Sequence, residues 1–331
     1  MSIPVSFPLC AAISIILLLL IVVALLAQSR ALRGRSFRVL SGRTRPITRQ
    51  KLSPFGSFAS NASIYALLIL TLGVPVFGAI SASMIQGLGT VISNYQINFD
   101  NYIRVIKSPL LRSPLLFSAE AALITATVAV ILAAISSRML VSTKNGPGKK
   151  FLDFFLLAAV GLPGIVFAIG YIFAYNLPLA QRYGFHLYGT VALLILAYIA
   201  TALPSTTRSL VGNMNQFQES LSEACRVHGS NGIKTWLTVV LPLISRPLLA
   251  AWCLTYCGTL LELPVSQILF PPGHAPLAVG IDHALGNYDF GGGTAMEVFA
   301  IISALIVVAI AFGLYEKLAP VGWKQLGRAD R

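Results

Sequence analysis

The sequence predicts an all-α membrane protein that crosses the bilayer several times. Its 331 residues are 56% hydrophobic and only 11% charged, with a mean hydropathy of +0.78, whereas a soluble domain carries about 25% charged residues. No ionised residue lies between Lys51 and Asp100, or between Asp153 and Arg182. Because a helix needs about 20 apolar residues to cross about 30 Å of hydrocarbon, such stretches indicate membrane helices and exclude a single water-soluble core.

The uncharged stretches divide into seven predicted spans. The first is a leading helix, and the other six form a continuous body. The span boundaries follow the ends of the apolar stretches, at about residues 8–27, 62–85, 114–136, 152–173, 188–207, 244–265 and 295–315.

Positive charges orient these spans, because loops on the cytoplasmic side retain Lys and Arg. With the N-terminus outside and the C-terminus inside, twenty basic residues fall in cytoplasmic segments and four outside. The four outer ones are Arg104, Lys107, Arg112 and Arg182. Membrane topology therefore explains the net charge of +13 better than a nucleic-acid partner does, since the basic residues are not interleaved with aromatic ones.

Charge and composition also divide the chain into segments. The first span is not a signal peptide, because Met1 to Pro8 carry no positive charge and the basic run follows the span. We predict a leading transmembrane helix at 1–29, a basic cytoplasmic linker at 30–61 that contacts anionic lipid or has a specific role, a six-helix domain at 62–316 and a cytoplasmic tail at 317–331.

Two outer segments have distinct compositions. Residues 94–113 are moderately polar and predict a short helix at the outer surface, whereas residues 271–293, with a glycine run at 291–293, predict an irregular loop. The outer-loop residues His274 and His283 are interpreted as exposed side chains rather than metal ligands. Cysteine spacing likewise predicts no disulfide framework and no metal site.

The cytoplasmic loop at 209–242 is long for a connection between adjacent helices and is patterned. Apolar residues recur at helical spacing before Gly229 and again after it. Glycine takes the left-handed backbone that ends a helix, and Ser230 or Asn231 can cap the next helix. The loop therefore predicts two short helices joined by a glycine corner. Patterning alone leaves open whether they lie on lipid or on a protein.

The same loop resembles the "EAA" motif of binding-protein-dependent ABC importer permeases. That motif has Glu-Ala-Ala, a Gly after three residues, nine residues, then an aliphatic residue, any residue and Leu-Pro. The matching residues here are Glu223, Ala224, Cys225, Gly229, Val239, Leu241 and Pro242. The third position is Cys rather than Ala.

This resemblance implies a type I ABC importer transmembrane domain in a bacterial inner membrane, with a periplasmic N-terminus and a cytoplasmic C-terminus. It implies that the loop docks on a cytoplasmic ATP-binding subunit dimer, with a periplasmic substrate-binding protein and a second permease half or second copy as further partners. The chain has no phosphate loop of its own, because Thr143 and Lys150 stand where that motif needs Gly and Ser or Thr. ATP would be hydrolysed by the partner, and neither cofactor nor catalytic residue is expected here.

Further segments resemble ferric-iron importer permeases, in particular their C-terminal half. Glu262 to Ser266 and Leu277 to Val279 match a "Glu-Leu-Pro … Leu-Ala-Val" region, with weaker matches at 99–102 and 161–166. Ferric iron is therefore the expected substrate, with a phosphonate, thiamine or a polyamine as alternatives. Glu262 and Ser266 are the candidate pathway residues, although a structural bond of Glu262 near Pro264 explains it equally well.

Two other function classes are less consistent with the sequence. A membrane-embedded enzyme would be expected to show a His-Glu-x-x-His motif, a nucleophile elbow or paired intramembrane carboxylates. An ion-coupled secondary transporter would be expected to show internal repeats and more ionisable residues in its spans. Neither class explains the patterned loop.

Overall fold

The computed structural model describes residues 7–31, 53–85, 97–141, 146–184, 186–215, 224–225 and 227–320. Every regular element within these ranges is helical, which confirms the all-α prediction. The helices are α1 (Phe7–Ala31), α2 (Pro54–Ser83), α3 (Asp100–Lys107), α4 (Pro109–Val141), α5 (Pro147–Val160), α6 (Gly164–Asn176), α7 (Pro178–Arg182), α8 (Val191–Met214), α9 (Gly232–Leu260), α10 (Ser266–Leu269), α11 (Leu277–Gly286) and α12 (Phe290–Leu318).

Five of these helices are long and apolar enough to cross a membrane, namely α2, α4, α8, α9 and α12. The pair α5 and α6 makes up to six, although its two helices meet at 113° across a short break. The predicted leading span falls in α1, which contains the apolar helical stretch Ile15–Ala24. That stretch is shorter than a full span, so the seventh span stays a prediction.

Helix α4 lies at the centre of the bundle and packs against both α8 and α9. Its packing face consists of alanines at helical spacing, all fully buried: Ala122, Ala126, Ala129 and Ala133. Lipid tails are as apolar as the helix surfaces, so the hydrophobic effect does not drive two membrane helices together. Their association depends instead on close packing of the backbones, which small side chains allow. The Trp252 indole N–H also donates to Thr127 Oγ1 at 3.1 Å, joining α9 to α4.

The structure corrects several predicted boundaries. The fourth span is not continuous over 152–173, because Gly161 to Pro163 break it into α5 and α6. The sixth span does not run to residue 265, because α9 ends at Leu260. Helix α2 begins at Pro54, before the predicted span at 62–85, and α8 continues to Met214, beyond the predicted span at 188–207.

A polar cluster joins three elements at the end of the bundle that the charge pattern predicts to face outward, here called the outer end. The Asn101 amide on α3 donates to the carbonyls of Ser83 (2.9 Å) and Ile85 (3.0 Å), where α2 ends. Arg104 donates to Asp289 (2.5 Å) and to Asn101 Oδ1 (3.1 Å). Asp289 in turn accepts the Gly292 N–H at 2.9 Å and so caps α12. The expected short surface helix is therefore present as α3, and it anchors both α2 and α12.

The prediction of an irregular loop at 271–293 was wrong. This stretch contains α11, and its glycine run forms the first turn of α12. A Cβ on Gly291 would lie 2.8 Å from Asn101 Cγ, and one on Gly292 would lie 2.8 Å from Arg104 Nη2. Gly291 and Gly292 therefore mark a helix start that is packed closely against Asn101 and the Arg104–Asp289 pair. Composition alone does not distinguish this reason for glycine from loop flexibility.

This packing predicts that Gly291→Ala destabilises the protein, because buried Asn101 is held by two carbonyls and has no room to move. Overpacking of this kind costs about 1–3 kcal/mol, so we expect a lower thermal midpoint for the detergent-solubilised variant. Gly313→Ala on the same helix is the matched control, since no atom lies within 4 Å of its Cβ. Equal midpoints for the two variants would contradict the role of the outer cluster.

Candidate functional site

The loop that is predicted to be cytoplasmic turns at Gly229, as the sequence predicts. The Gly229 backbone has a φ of +75°, and the Ser230 N–H donates to the Cys225 carbonyl at 3.0 Å across it. A hydrogen bond that spans six residues around a left-handed glycine is the Schellman termination of a helix. Replacing this glycine by a residue with a Cβ strains the backbone.

The next helix begins directly after the corner. Asn231 is its N-cap, with the side-chain oxygen accepting the Lys234 N–H at 2.8 Å. The Thr235 hydroxyl is buried and donates to Ser230 Oγ at 3.0 Å, which ties the corner to the first turn. Of the two predicted caps, Asn231 is the one that the structure uses.

The second loop helix is not separate from the sixth span, contrary to the prediction. The backbone passes through a single π turn at Trp236–Val240 and continues as α9 to Leu260. Pro242 follows this turn; a proline lacks the N–H that a regular α-helix needs, and a π turn accommodates such a break. Val239, Leu241 and Pro242 therefore lie at the junction between loop and span.

The loop presents apolar side chains that nothing in the described chain covers. Val227 is 86% exposed, and Ile233 and Leu237, one turn apart on α9, are 69% and 50% exposed. Ala224 is exposed and Cys225 half-buried, whereas Glu223 lies outside the described residues. We refer to Val227, Ile233 and Leu237 as the loop face.

A cavity of about 420 Å³ opens beside the break between α5 and α6, with α8 and α9 as its other walls. Seven of its eighteen lining residues carry a hydroxyl group, most of the others are apolar, and the lining contains no Lys, Arg or His. The hydroxyl residues are Tyr198, Thr201, Ser205, Thr206, Ser209, Thr255 and Thr259. On α8, three of them recur every fourth residue and so share a helix face, a signal in the sequence that our prediction of pathway residues did not use.

Glu262 also lines this cavity, but it does so from the turn after α9 rather than from within a continuous helix. Its carboxylate accepts the N–H groups of Val265 (3.0 and 3.1 Å) and Ser266 (3.1 Å), which caps α10. Gly164 packs beside it, with 3.2 Å between its Cβ position and Glu262 Oε1. Glu262 therefore supports the break after α9, and its carboxylate lies close to the start of α6.

Ser266, the other candidate pathway residue, is fully buried. Its hydroxyl bonds with Tyr198 Oη at 2.6 Å and donates to the Glu262 backbone carbonyl. These contacts fasten α10 to α8. Ser266 therefore supports the cavity wall through Tyr198, which does line the cavity.

The remaining polar side chains singled out earlier lie apart from the cavity. His274 packs against Phe117, and His283 against Phe270, with ring centroids 5.5 and 6.2 Å apart. Among the described residues, no group of three or more His, Cys, Asp and Glu is arranged to hold a metal ion.

Comparison with known proteins places this architecture in a family. The profile of the family described as binding-protein-dependent transport system inner membrane component matches residues 131–321. The trehalose/maltose transport system permease protein MalG of Thermococcus litoralis is 27% identical over 235 residues, which are 69% of this chain and 81% of that protein. A putative ferric transport system permease protein, FbpB 1 of Haemophilus influenzae, is 29% identical over 185 residues.

The ferric-type relative is much longer than this chain. The aligned region is 54% of this chain but only 27% of that relative. Among solved structures, a bacterial ABC transporter involved in the import of alginate aligns with a TM-score of 0.63 at 12% identity, over 80% of this chain and 96% of that one. At this identity the match shows a shared fold.

The matched region includes the glycine corner, the junction with α9 and the walls of the cavity. It covers more than half of the chain, and the fold agrees with that of a solved importer permease. The chain therefore belongs to the binding-protein-dependent transport system inner membrane components, the permeases of ABC importers, as the Glu223-to-Pro242 pattern implied.

Proposed function

We propose that the loop at 209–242 couples this permease to a separate ATPase and that the hydroxyl-lined cavity is part of its translocation pathway, with ferric iron as the cargo. The observation that carries the proposal is the continuity of α9. One helix begins beside the glycine corner and ends beside the cavity.

Coupling follows from this continuity. The loop face offers apolar contacts to a docking protein, and Glu223 would add a carboxylate to them. A displacement of Gly232 is carried along α9 to Thr255 and Thr259 in the cavity wall, a distance of roughly 35–40 Å at about 1.5 Å per residue. Docking at one end of the helix can therefore move the cavity at the other.

The cavity lining supports a hard cation as cargo. Hydroxyl and carboxylate oxygens are the ligands that hard cations prefer, and the lining adds no positive charge that would repel one. Two relatives named as ferric transport permeases, from Haemophilus influenzae and Actinobacillus pleuropneumoniae, match this chain at 29% and 26% identity. An anionic phosphonate fits this cavity less well than a cation, because no cationic side chain in the lining would bind it.

A sugar is the second candidate cargo. The trehalose/maltose relative aligns over 81% of its own length, far more than the ferric-type relatives do. Hydroxyl linings also suit a neutral sugar, since each group can both donate and accept hydrogen bonds. Thiamine and polyamines remain alternatives because they are cations, which the uncharged and acidic lining would not repel.

The assembly proposed around this chain has four kinds of component. They are a cytoplasmic ATP-binding subunit dimer that hydrolyses ATP, a periplasmic substrate-binding protein, a second permease half or second copy, and the lipid of the bacterial inner membrane. The related alginate importer has been solved in complex with its periplasmic protein, which supports the second component. The N-terminus would be periplasmic and the C-terminus cytoplasmic. No catalytic residue, cofactor or nucleic acid enters the proposal.

The first prediction concerns the corner. Gly229→Val forces a β-branched residue to a φ of +75°, a strain of about 1–3 kcal/mol that the corner relieves by opening. We expect normal membrane insertion but uptake lower by roughly tenfold or more. The measurement is substrate uptake at matched expression.

Two variants control for this experiment. Gly184→Val introduces the same strain at a φ of +79° outside the loop, and it should leave uptake near the wild-type level. Gly229→Asn should keep most of the activity, because Asn tolerates the left-handed region. Normal uptake by Gly229→Val would remove the loop from the coupling mechanism.

The second prediction concerns docking. We expect Glu223 to be solvent-exposed in the loop, where a carboxylate contributes little stability by itself. Glu223→Ala should then leave the fold intact yet weaken binding of the ATPase. Purification in mild detergent should recover a cytoplasmic ATPase and a second permease half or copy with the wild-type chain, and less ATPase with the variant. Recovery of the wild-type chain as an active monomer would refute the proposed assembly.

The third prediction concerns the pathway. Ser205→Trp places a large ring in the cavity and should block uptake. Leu196→Trp lies about two and a half helical turns away, on the opposite face of α8; Leu196 is 37% exposed, and this variant should not block uptake. Uptake of radiolabelled ferric iron and radiolabelled maltose by vesicles with the full transporter identifies the cargo. Equal uptake by both variants would show that the substrate passes elsewhere.

A further inference from the structure

Arg138 connects the coupling loop to the central helix of the bundle. It lies near the cytoplasmic end of α4, and its Nη2 donates to the Gly232 carbonyl at 3.1 Å. Gly232 is the first residue of α9, and the same carbonyl also accepts the Trp236 N–H. A carbonyl oxygen has two lone pairs and accepts both bonds. Arg138 therefore reaches across 94 residues of sequence to the start of the loop helix.

The same guanidinium group also contacts the loop helix through a ring. Its central carbon lies 5.8 Å from the centroid of the Trp236 indole, within the range of a cation–π interaction. Trp236 is the first residue of the π turn and packs against a cluster built on Val130, Ala133 and Ala134 of α4. The loop helix is therefore held on α4 by a hydrogen bond, a cation–π contact and apolar packing at adjacent points.

Arg138 makes these contacts with the first residues of α9, the part of the loop that is continuous with the span. If Gly232 is displaced, the rest of α9 moves with it because the helix is continuous. Helix α4 is a separate helix, so it moves with α9 only if the side-chain contacts between them are maintained. Helix α4 carries the alanine face on which α8 also packs. A movement of α9 alone would disrupt its packing on α4. A movement shared by α9 and α4 would keep that packing and would also displace α8.

We propose that Arg138 is a positioning residue that clasps the coupling loop to α4, so that α4 and α9 respond to the ATPase as one unit. This inference rests on the proposed coupling role of the loop. Lysine is not an equivalent replacement, because a point charge does not lie flat on an indole while donating to a carbonyl as the planar guanidinium does.

The test uses the full transporter in liposomes and measures substrate transported per ATP hydrolysed, together with the amount of ATPase bound. Arg138→Ala should leave the bound ATPase unchanged but lower the transport-to-ATP ratio. Since Arg138 is exposed and loses one charge-assisted hydrogen bond and one cation–π contact, we expect a decrease of roughly threefold to tenfold. Arg138→Lys should give an intermediate ratio.

One variant serves as a local control. Met139→Ala removes the neighbouring side chain on α4, which is 50% exposed. It should keep the wild-type ratio, because it removes no partner of the clasp.

Comparison with Gly229→Val separates the two proposals. A wild-type ratio in both Arg138→Ala and Arg138→Lys, with transport lost in Gly229→Val, would overturn the clasp and leave the coupling loop standing. Wild-type transport in Gly229→Val would overturn the coupling role of the loop itself. If Arg138→Ala does not assemble, Arg138→Lys decides, because it keeps the charge at this exposed site and must still fall below the wild-type ratio.

Discussion

Close helix packing on the alanine face of α4 is the constraint on which the rest of the structure depends. Fully buried Ala122, Ala126, Ala129 and Ala133 let α8 and α9 approach this helix, and close approach is what holds helices together where lipid surrounds them. Because α4 is central, its two ends determine where the other elements are attached. The outer end follows directly on α3 and its polar cluster, and the inner end carries Arg138.

The two ends of the bundle attach the neighbouring helix ends through different interactions. At the outer end, Asn101 and Arg104 hold helix ends by side-chain bonds to carbonyls and to the Asp289 cap, and glycines at the start of α12 leave room for them. At the inner end, Gly229 ends one short helix and Asn231 starts the next. The outer cluster fixes helices in place, whereas the inner corner leads into a helix that reaches the cavity.

The cavity exists because two helices stop early. The chain breaks at Gly161 to Pro163 and again after Leu260, and buried backbone groups at such breaks need partners. At the second break Glu262 supplies them, accepting the N–H groups of Val265 and Ser266. The same carboxylate therefore has a structural role and a place in the cavity lining, and the two interpretations of Glu262 that its position in the sequence left open are compatible.

The helical membrane class, the family and the glycine corner could all be predicted from the amino-acid sequence, because they depend on local properties: apolar length, spacing within one loop and the backbone freedom of Gly229. The amino-acid sequence did not show where helices break or why glycines cluster at the start of α12. It also did not show that the loop helix and α9 are continuous, or that Arg138 contacts Trp236. These features became visible in the folded protein, because each depends on which distant side chains and backbone groups come within contact distance when the other helices pack around α4.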